Sequence, residues 1–110
     1  MAYVAKHRFA RIAPRKARLV LDLIRGRDVE DALNLLRFSK KRAAVLVDKV
    51  VRSAVANAAE REAETNALFI KSCWADPGPV IKRFQPKDRG KAYSIMKRTS
   101  HLVVELESRE

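Results

Sequence analysis

The sequence predicts an α+β fold: three helices packed on a small three-stranded antiparallel sheet, with a long β-hairpin protruding from it. Three observations carry that expectation. Segments that alternate apolar and polar residues stand near both ends of the chain and again in "LFIKSCWA" (68–75). Three stretches with helical spacing lie between the first two of these segments. A segment of twenty-one residues before the last one is too rich in lysine and arginine to be core. A chain of 110 residues can bury a core without disulfides but is short for two domains. One domain over 1–110 is therefore expected, with the hairpin at about 76–101 within it.

Residues 2–12 form the first strand, with Tyr3, Ala5, His7 and Phe9 on one side and Lys6 and Arg8 on the other. Pro14 suits the first turn of a helix, and Ala17, Val20, Leu21 and Ile24 share a face before Gly26 stops it. Ala13 is a poor cap for that start. Asp28 is a good N-cap for a second helix, whose Val29, Ala32, Leu33 and Leu36 make a stripe ending near Phe38. Ser39 is expected to cap a longer third helix over about 40–62, with Ala43, Val47, Val50, Ala54 and Ala58 on one face. Its alanines imply close packing. The second strand is then expected to set Leu68, Ile70, Ser72 and Trp74 against Phe69, Lys71 and Cys73. The return strand, "HLVVELE", sets Leu102, Val104 and Leu106 against His101, Val103, Glu105 and Glu107.

Between these two strands, "DPGP" at Asp76–Pro79 cannot hold an uninterrupted central ladder. Unstructured loops beyond roughly 12–15 residues are uncommon. Either both arms continue as an extended hairpin with "PKDRG" (Pro86–Gly90) as its turn, or the segment is a disordered basic loop. As a ribbon it buries little of itself, because Val80, Ile81, Phe84, Ala92, Tyr93, Ile95 and Met96 are interleaved with Lys82, Arg83, Lys91, Lys97 and Arg98. An isolated two-stranded ribbon is marginal in water. Phosphates facing its cations and bases stacked on Phe84 and Tyr93 would hold it.

The net charge of +11, from 24 Lys and Arg over 13 Asp and Glu, favours a polyanionic partner. The charge lies in two blocks: residues 1–27 carry eight bases and one acid, and residues 71–101 carry eight and two, around a middle that balances. In the first block Lys6, Arg8, Arg11, Arg15, Lys16, Arg18 and Arg25 are expected to make sequence-blind phosphate contacts. A rival is an architectural DNA-binding protein with a proline-tipped arm. Such proteins usually pair, and no self-complementary seam is visible, so no homo-oligomer is expected. Acidic lipid surfaces are a further alternative, but no apolar run approaches the ~20 residues of a span, and no membrane partner is expected. The N-terminus turns basic instead of forming a signal core, which implies an unprocessed, cytoplasmic chain. No catalytic residue, metal or cofactor is expected. His7, His101 and Cys73 show no nucleophile or ligand spacing, and the three glycines form no phosphate loop.

Across 5–106, "PRKARLV", "IRG", "ANA", "GPVIKR" and "KRTSH" resemble the bacterial large-subunit ribosomal protein family twenty-two, of the universal type. The resemblance implies a structural constituent of the large ribosomal subunit that supports subunit assembly and translation. It implies a globular body on large-subunit rRNA, contacts with neighbouring large-subunit proteins, and a hairpin lining the peptide exit tunnel. It also brings nascent peptide and macrolide-type antibiotics near the hairpin tip. Carried over by position, Lys82 and Arg83 match the family's basic pair near the tip, and Gly90 and Lys91 its turn exit. Lys97, Arg98, Thr99, Ser100 and His101 match its "KRTSH". The implied rRNA contacts include Lys87 and Arg89 as well, and the tip is Phe84, Gln85, Pro86, Lys87, Asp88, Arg89 and Gly90. Lys87 and Asp88 depart from the family's usual arginine and small residue: a bidentate fork is lost and an anion gained. Asp88 is expected to face solvent or a cation.

Overall fold

The last strand of the chain is the middle strand of the sheet. β5 (Ser100–Ser108) pairs antiparallel with β1 (Ala2–Ala10) on one side and with β2 (Leu68–Pro77) on the other, in the order β1-β5-β2. The computed structural model describes residues 2–87 and 91–108, and for residues 65, 83–87 and 91–96 the backbone alone. Between β1 and β2 run α1 (Pro14–Ile24), α2 (Val29–Phe38) and α3 (Arg42–Glu60). α3 lies against β1 and β5, α1 lies against β2, and α2 packs mainly on α3. This is the expected α+β arrangement of three helices on a three-stranded antiparallel sheet.

The helices form where the apolar spacing places them. In α1, Pro14 opens the first turn, Ala17, Val20, Leu21 and Ile24 are buried, and Gly26 adopts φ +81° just past the end. α2 buries Val29, Ala32 and Leu36, with Leu33 half-buried, and its first turn carries Glu30 and Asp31, the sign its dipole favours. α3 buries the expected Ala43, Val47, Val50, Ala54 and Ala58 together with Ala44 and Val51, and these small residues let it lie close to the sheet. Ser39 differs from expectation: it is the C-cap of α2, its N–H donating to Leu36 O, and Lys41 is the N-cap of α3. The third helix therefore begins two residues later than its pattern suggested, because Ser39 is occupied in closing the second.

Two bulges overturn the expected alternation of the outer strands. The β1–β5 register shifts between His7 and Ala10, and Phe9, with φ 58°, turns outward to 54% exposure while Ala10 and Ile12 enter the core. The β2–β5 register shifts between Ile70 and Ser72, so Cys73 and Ala75 face inward and Trp74 is 40% exposed. One extra residue moves every later side chain to the opposite face, which is why Ser72 and Trp74 do not continue the row of Leu68 and Ile70. β5 has no bulge against its own pattern: Leu102, Val104 and Leu106 are fully buried among the helices. Val103, on the other face, is also buried, opposite Lys6 on β1 and Trp74 on β2.

Beyond the body the two inner arms continue as a ribbon. β3 (Ile81–Lys87) pairs antiparallel with β4 (Lys91–Lys97), Ile81 opposite Lys97 and Lys87 opposite Lys91, which resolves the open choice in favour of a hairpin. Of the expected tip, Asp88, Arg89 and Gly90 lie outside the described residues, as do the side chains of Arg83, Phe84, Gln85, Pro86, Lys87, Lys91 and Tyr93. The molecule measures 64 × 24 × 17 Å with a radius of gyration of 16.8 Å, against about 13 Å for a compact chain of this length. No helix among the described residues is long and apolar enough to cross a membrane.

The root of the ribbon is stitched at Gly78 and Thr99. Gly78 N–H donates to Thr99 O at 2.9 Å, and Thr99 Oγ1 donates to Pro79 O at 2.6 Å. A β-carbon on Gly78 would stand 2.5 Å from that hydroxyl oxygen. Gly78→Ala is expected to lower stability by about 1–3 kcal/mol and Thr99→Ala by about 1 kcal/mol. The double variant should be no less stable than Thr99→Ala alone, since the clash leaves with the hydroxyl. Urea unfolding of the three variants checks this; strictly additive losses would place the clash elsewhere.

Candidate nucleic-acid interface

An open sheet edge presents unpaired carbonyl and N–H groups, and here side chains and backbone satisfy some of them on both edges. On β1, Asn57 Nδ2 donates to Val4 O at 3.0 Å. On β2, Arg18 Nη2 donates to Ala75 O at 2.9 Å and Arg25 Nη2 to Cys73 O at 2.8 Å, while Gly26 and Arg27 exchange backbone bonds with Ile70. The other end of the Arg25 fork holds Asp22 Oδ1 at 2.7 Å. Two of the seven cations expected on phosphates thus clamp α1 to the sheet edge. Arg11, Arg15 and Lys16 are exposed and have no ion-pair partner among the described residues.

The "KRTSH" segment divides in the same way. Lys97 and Arg98 are exposed, as is Lys82, whereas Thr99 is 4% and Ser100 0% exposed. Ser100 Oγ donates to Ile12 O at 2.6 Å, tying β5 to the start of α1. His101 is half-buried, and its Nδ1 accepts the Phe9 N–H at 3.1 Å. The hydroxyl protons of Thr99 and Ser100 satisfy the carbonyls of Pro79 and Ile12. A buried carbonyl left without a donor is destabilising, which is why small hydroxyl residues stand at these positions.

Three grooves on the body are lined by cations and by no acid. The first, about 490 Å³, lies between the starts of α1 and α3 and is edged by Arg11, Lys16, Lys41, Arg42 and Lys97 over Ile12, Leu19 and Ala43. The second, about 360 Å³, lies at the ribbon root beside Arg15, Arg18 and Arg98. The third, about 320 Å³, lies between β1 and α3 beside Lys6, Arg8 and Lys49. Lys41, Arg42 and Lys49 were hidden in the segment whose charges balance along the chain; the run "SKKRAA" at a helix start was the available signal. Neither α1 nor α3 has a side-chain N-cap or an acid in its first turn. α3 has no base in its last turn, where Glu60 stands instead. At its start, where Lys41 and Arg42 stand, its charges oppose its dipole. An anion at the basic end would relieve that conflict.

The single thiol is otherwise engaged. Cys73 is 2% exposed, and its Sγ donates to Leu21 O. Burial pushes the thiol up, only partly offset by nearby Arg25, so it is a core residue rather than a nucleophile. Among the described residues no group of three His, Cys, Asp or Glu side chains could hold a metal ion.

The sequence has clear relatives. Residues 5–107 match the family described as ribosomal protein L22p/L17e. The chain is 52% identical over 103 residues to the large ribosomal subunit protein uL22 of Geobacter metallireducens, covering 93% of this chain and 94% of that one. It is 50% identical over 107 residues to the uL22 protein of Geobacter sulfurreducens, covering 96% of each. With the uL22 protein of Syntrophotalea carbinolica the identity is 52% over 103 residues.

The two kinds of cation separate experimentally. Arg18→Met and Arg25→Met are each expected to lower the unfolding free energy by about 0.5–1.5 kcal/mol, through a carbonyl left unpaired. Arg15→Gln and Lys16→Gln should change it by less than about 0.5 kcal/mol. Denaturant midpoints of the isolated protein measure both; equal losses at all four positions would contradict the division.

Proposed function

The chain belongs to the ribosomal protein L22p/L17e family, and we propose on that footing that it is a structural, non-enzymatic constituent of the large ribosomal subunit in the cytoplasm. Its body binds large-subunit rRNA through the three basic grooves, beside neighbouring large-subunit proteins. Its ribbon extends from the body to line the peptide exit tunnel, with the tip near nascent peptide and macrolide-type antibiotics. The observation that carries this reading is 52% identity to a large-subunit protein over 93% of the chain. Uncompensated cations lining all three grooves support the rRNA contact, and a ribbon packed on little but itself supports the extended arm. The contact set proposed on the body is Lys6, Arg8, Arg11, Arg15, Lys16, Lys41, Arg42, Lys97 and Arg98. Arg18 and Arg25 serve first as clamps, each with guanidinium donors left over for phosphate.

Sedimentation of subunits from the source cell tests the assignment: the chain should travel with the large subunit after a high-salt wash. Recovery only among free proteins would contradict it. In binding assays of the isolated chain on large-subunit rRNA, replacing Arg11, Arg15 and Lys16 together by Gln should lower the dependence of log affinity on log salt by about two. An unchanged dependence would remove this face from the interface. Structured rRNA should also outcompete duplex DNA at fixed salt.

The ribbon and the body should be separable. Deleting residues 82–92 and joining the arms by a short turn is expected to leave helicity and melting nearly intact, because among the described residues β3 and β4 pack chiefly on each other. Incorporation into subunits should survive, while passage of stalling peptides or macrolide binding changes. A truncated chain that cannot fold alone would contradict the separation.

A further inference from the structure

Phe9 is a bulky residue at φ 58°, a left-handed conformation that side chains with a Cβ disfavour by roughly 1–2 kcal/mol and that such residues rarely adopt. Hydrophobic burial does not explain it: the β1 bulge carries the ring out of the row of Tyr3 and Ala5, to 54% exposure. The arrangement is nevertheless built. The Phe9 N–H donates to His101 Nδ1 at 3.1 Å, so the imidazole proton is on Nε2. The His101 ring meets the Phe9 ring edge to face, 4.9 Å between centroids and 82° between planes. The Arg8 guanidinium lies over the Phe9 ring, 5.3 Å from its centre, so a planar cation already stacks on this ring, and Arg8 also lines the groove it shares with Lys6 and Lys49.

Backbone strain held by specific contacts clusters at functional sites. A half-exposed aromatic ring, held by His101 and bordered by cations that have no ion-pair partner among the described residues, is suited to a flat apolar group attached to phosphates, for which Arg8 can exchange its place over the ring. Resting on the reading of the chain as an rRNA-binding protein, we propose that Phe9 is a stacking platform for an unpaired nucleobase of large-subunit rRNA. Arg8 and Lys6 take the adjoining phosphates, and His101 is the positioning residue that fixes the bulge. Unstacked bases are the elements of RNA that proteins recognise on aromatic side chains.

The test uses the full chain and naked large-subunit rRNA, with Phe9→Asn, Phe9→Leu and Phe9→Tyr. Asparagine tolerates the left-handed conformation, so Phe9→Asn should melt no lower than the parent. Its rRNA affinity should fall about five- to tenfold with an unchanged salt dependence, because no phosphate contact is removed. Phe9→Leu, apolar but without an aromatic face, should lose as much, and Phe9→Tyr should bind within about twofold of the parent. A lowered melting temperature for Phe9→Asn would make Phe9 part of the body's packing and overturn the platform. So would full affinity of Phe9→Leu, or a loss seen only during assembly with other ribosomal proteins. Absence of salt-dependent rRNA binding by the parent chain would overturn the rRNA reading itself, a result distinct from any of these.

Discussion

The pairing of β5 with both of its neighbours is the constraint on which the rest depends. β5 is last in the chain and central in the sheet, so neither β1 nor β2 has a strand beside it until residues 100–108 are in place. Its Leu102, Val104 and Leu106 supply the row over which α1 and α3 close. The same pairing sets the ribbon. β2 and β5 are the inner ends of the arms that become β3 and β4, interrupted at Gly78 and Thr99 and resumed at Ile81 and Lys97. Core and projecting arm are one long hairpin, with the helices covering only its inner part.

Covering that sheet at its β2 edge engages two surface cations, Arg18 and Arg25, with backbone carbonyls while leaving them exposed. Arg18 and Arg25 are spaced so that both reach outward carbonyls of β2, two residues apart on the edge strand. Four exposed cations, Arg15, Lys16, Lys41 and Arg42, stand where α1 and α3 begin. A cation at an uncapped helix start is unfavourable in the free protein. An anion at that place would reverse the sign of the interaction.

The bulges serve a related end. Each stands in an outer strand, and each rotates one aromatic, Phe9 or Trp74, out of the row that the alternation assigns to the core. Trp74 Nε1 then donates to Asp76 on the same strand, whereas Phe9 remains presented beside Arg8. Outer strands tolerate such shifts because a ladder is disturbed on one side only.

The sequence by itself determined the elements and their apolar faces. Periodicity is local, so Ala17, Val20, Leu21 and Ile24, or Leu102, Val104 and Leu106, announce a buried row wherever the chain packs them. Proline and glycine at Pro14, Gly26 and Asp76–Pro79 marked the ends of elements for equally local steric reasons, and the two basic blocks announced a polyanionic partner. Tertiary structure alone decided the facing of Phe9 and Trp74, since a bulge is a mismatch between two strands ninety or thirty residues apart and leaves no trace in either one. It also decided that Arg18, Arg25, Thr99 and Ser100 turn to the protein's own carbonyls while Lys41, Arg42 and Lys49 join the basic surface. Charge is a property of the residue, but whether it is free depends on which acceptor the fold brings within hydrogen-bond reach.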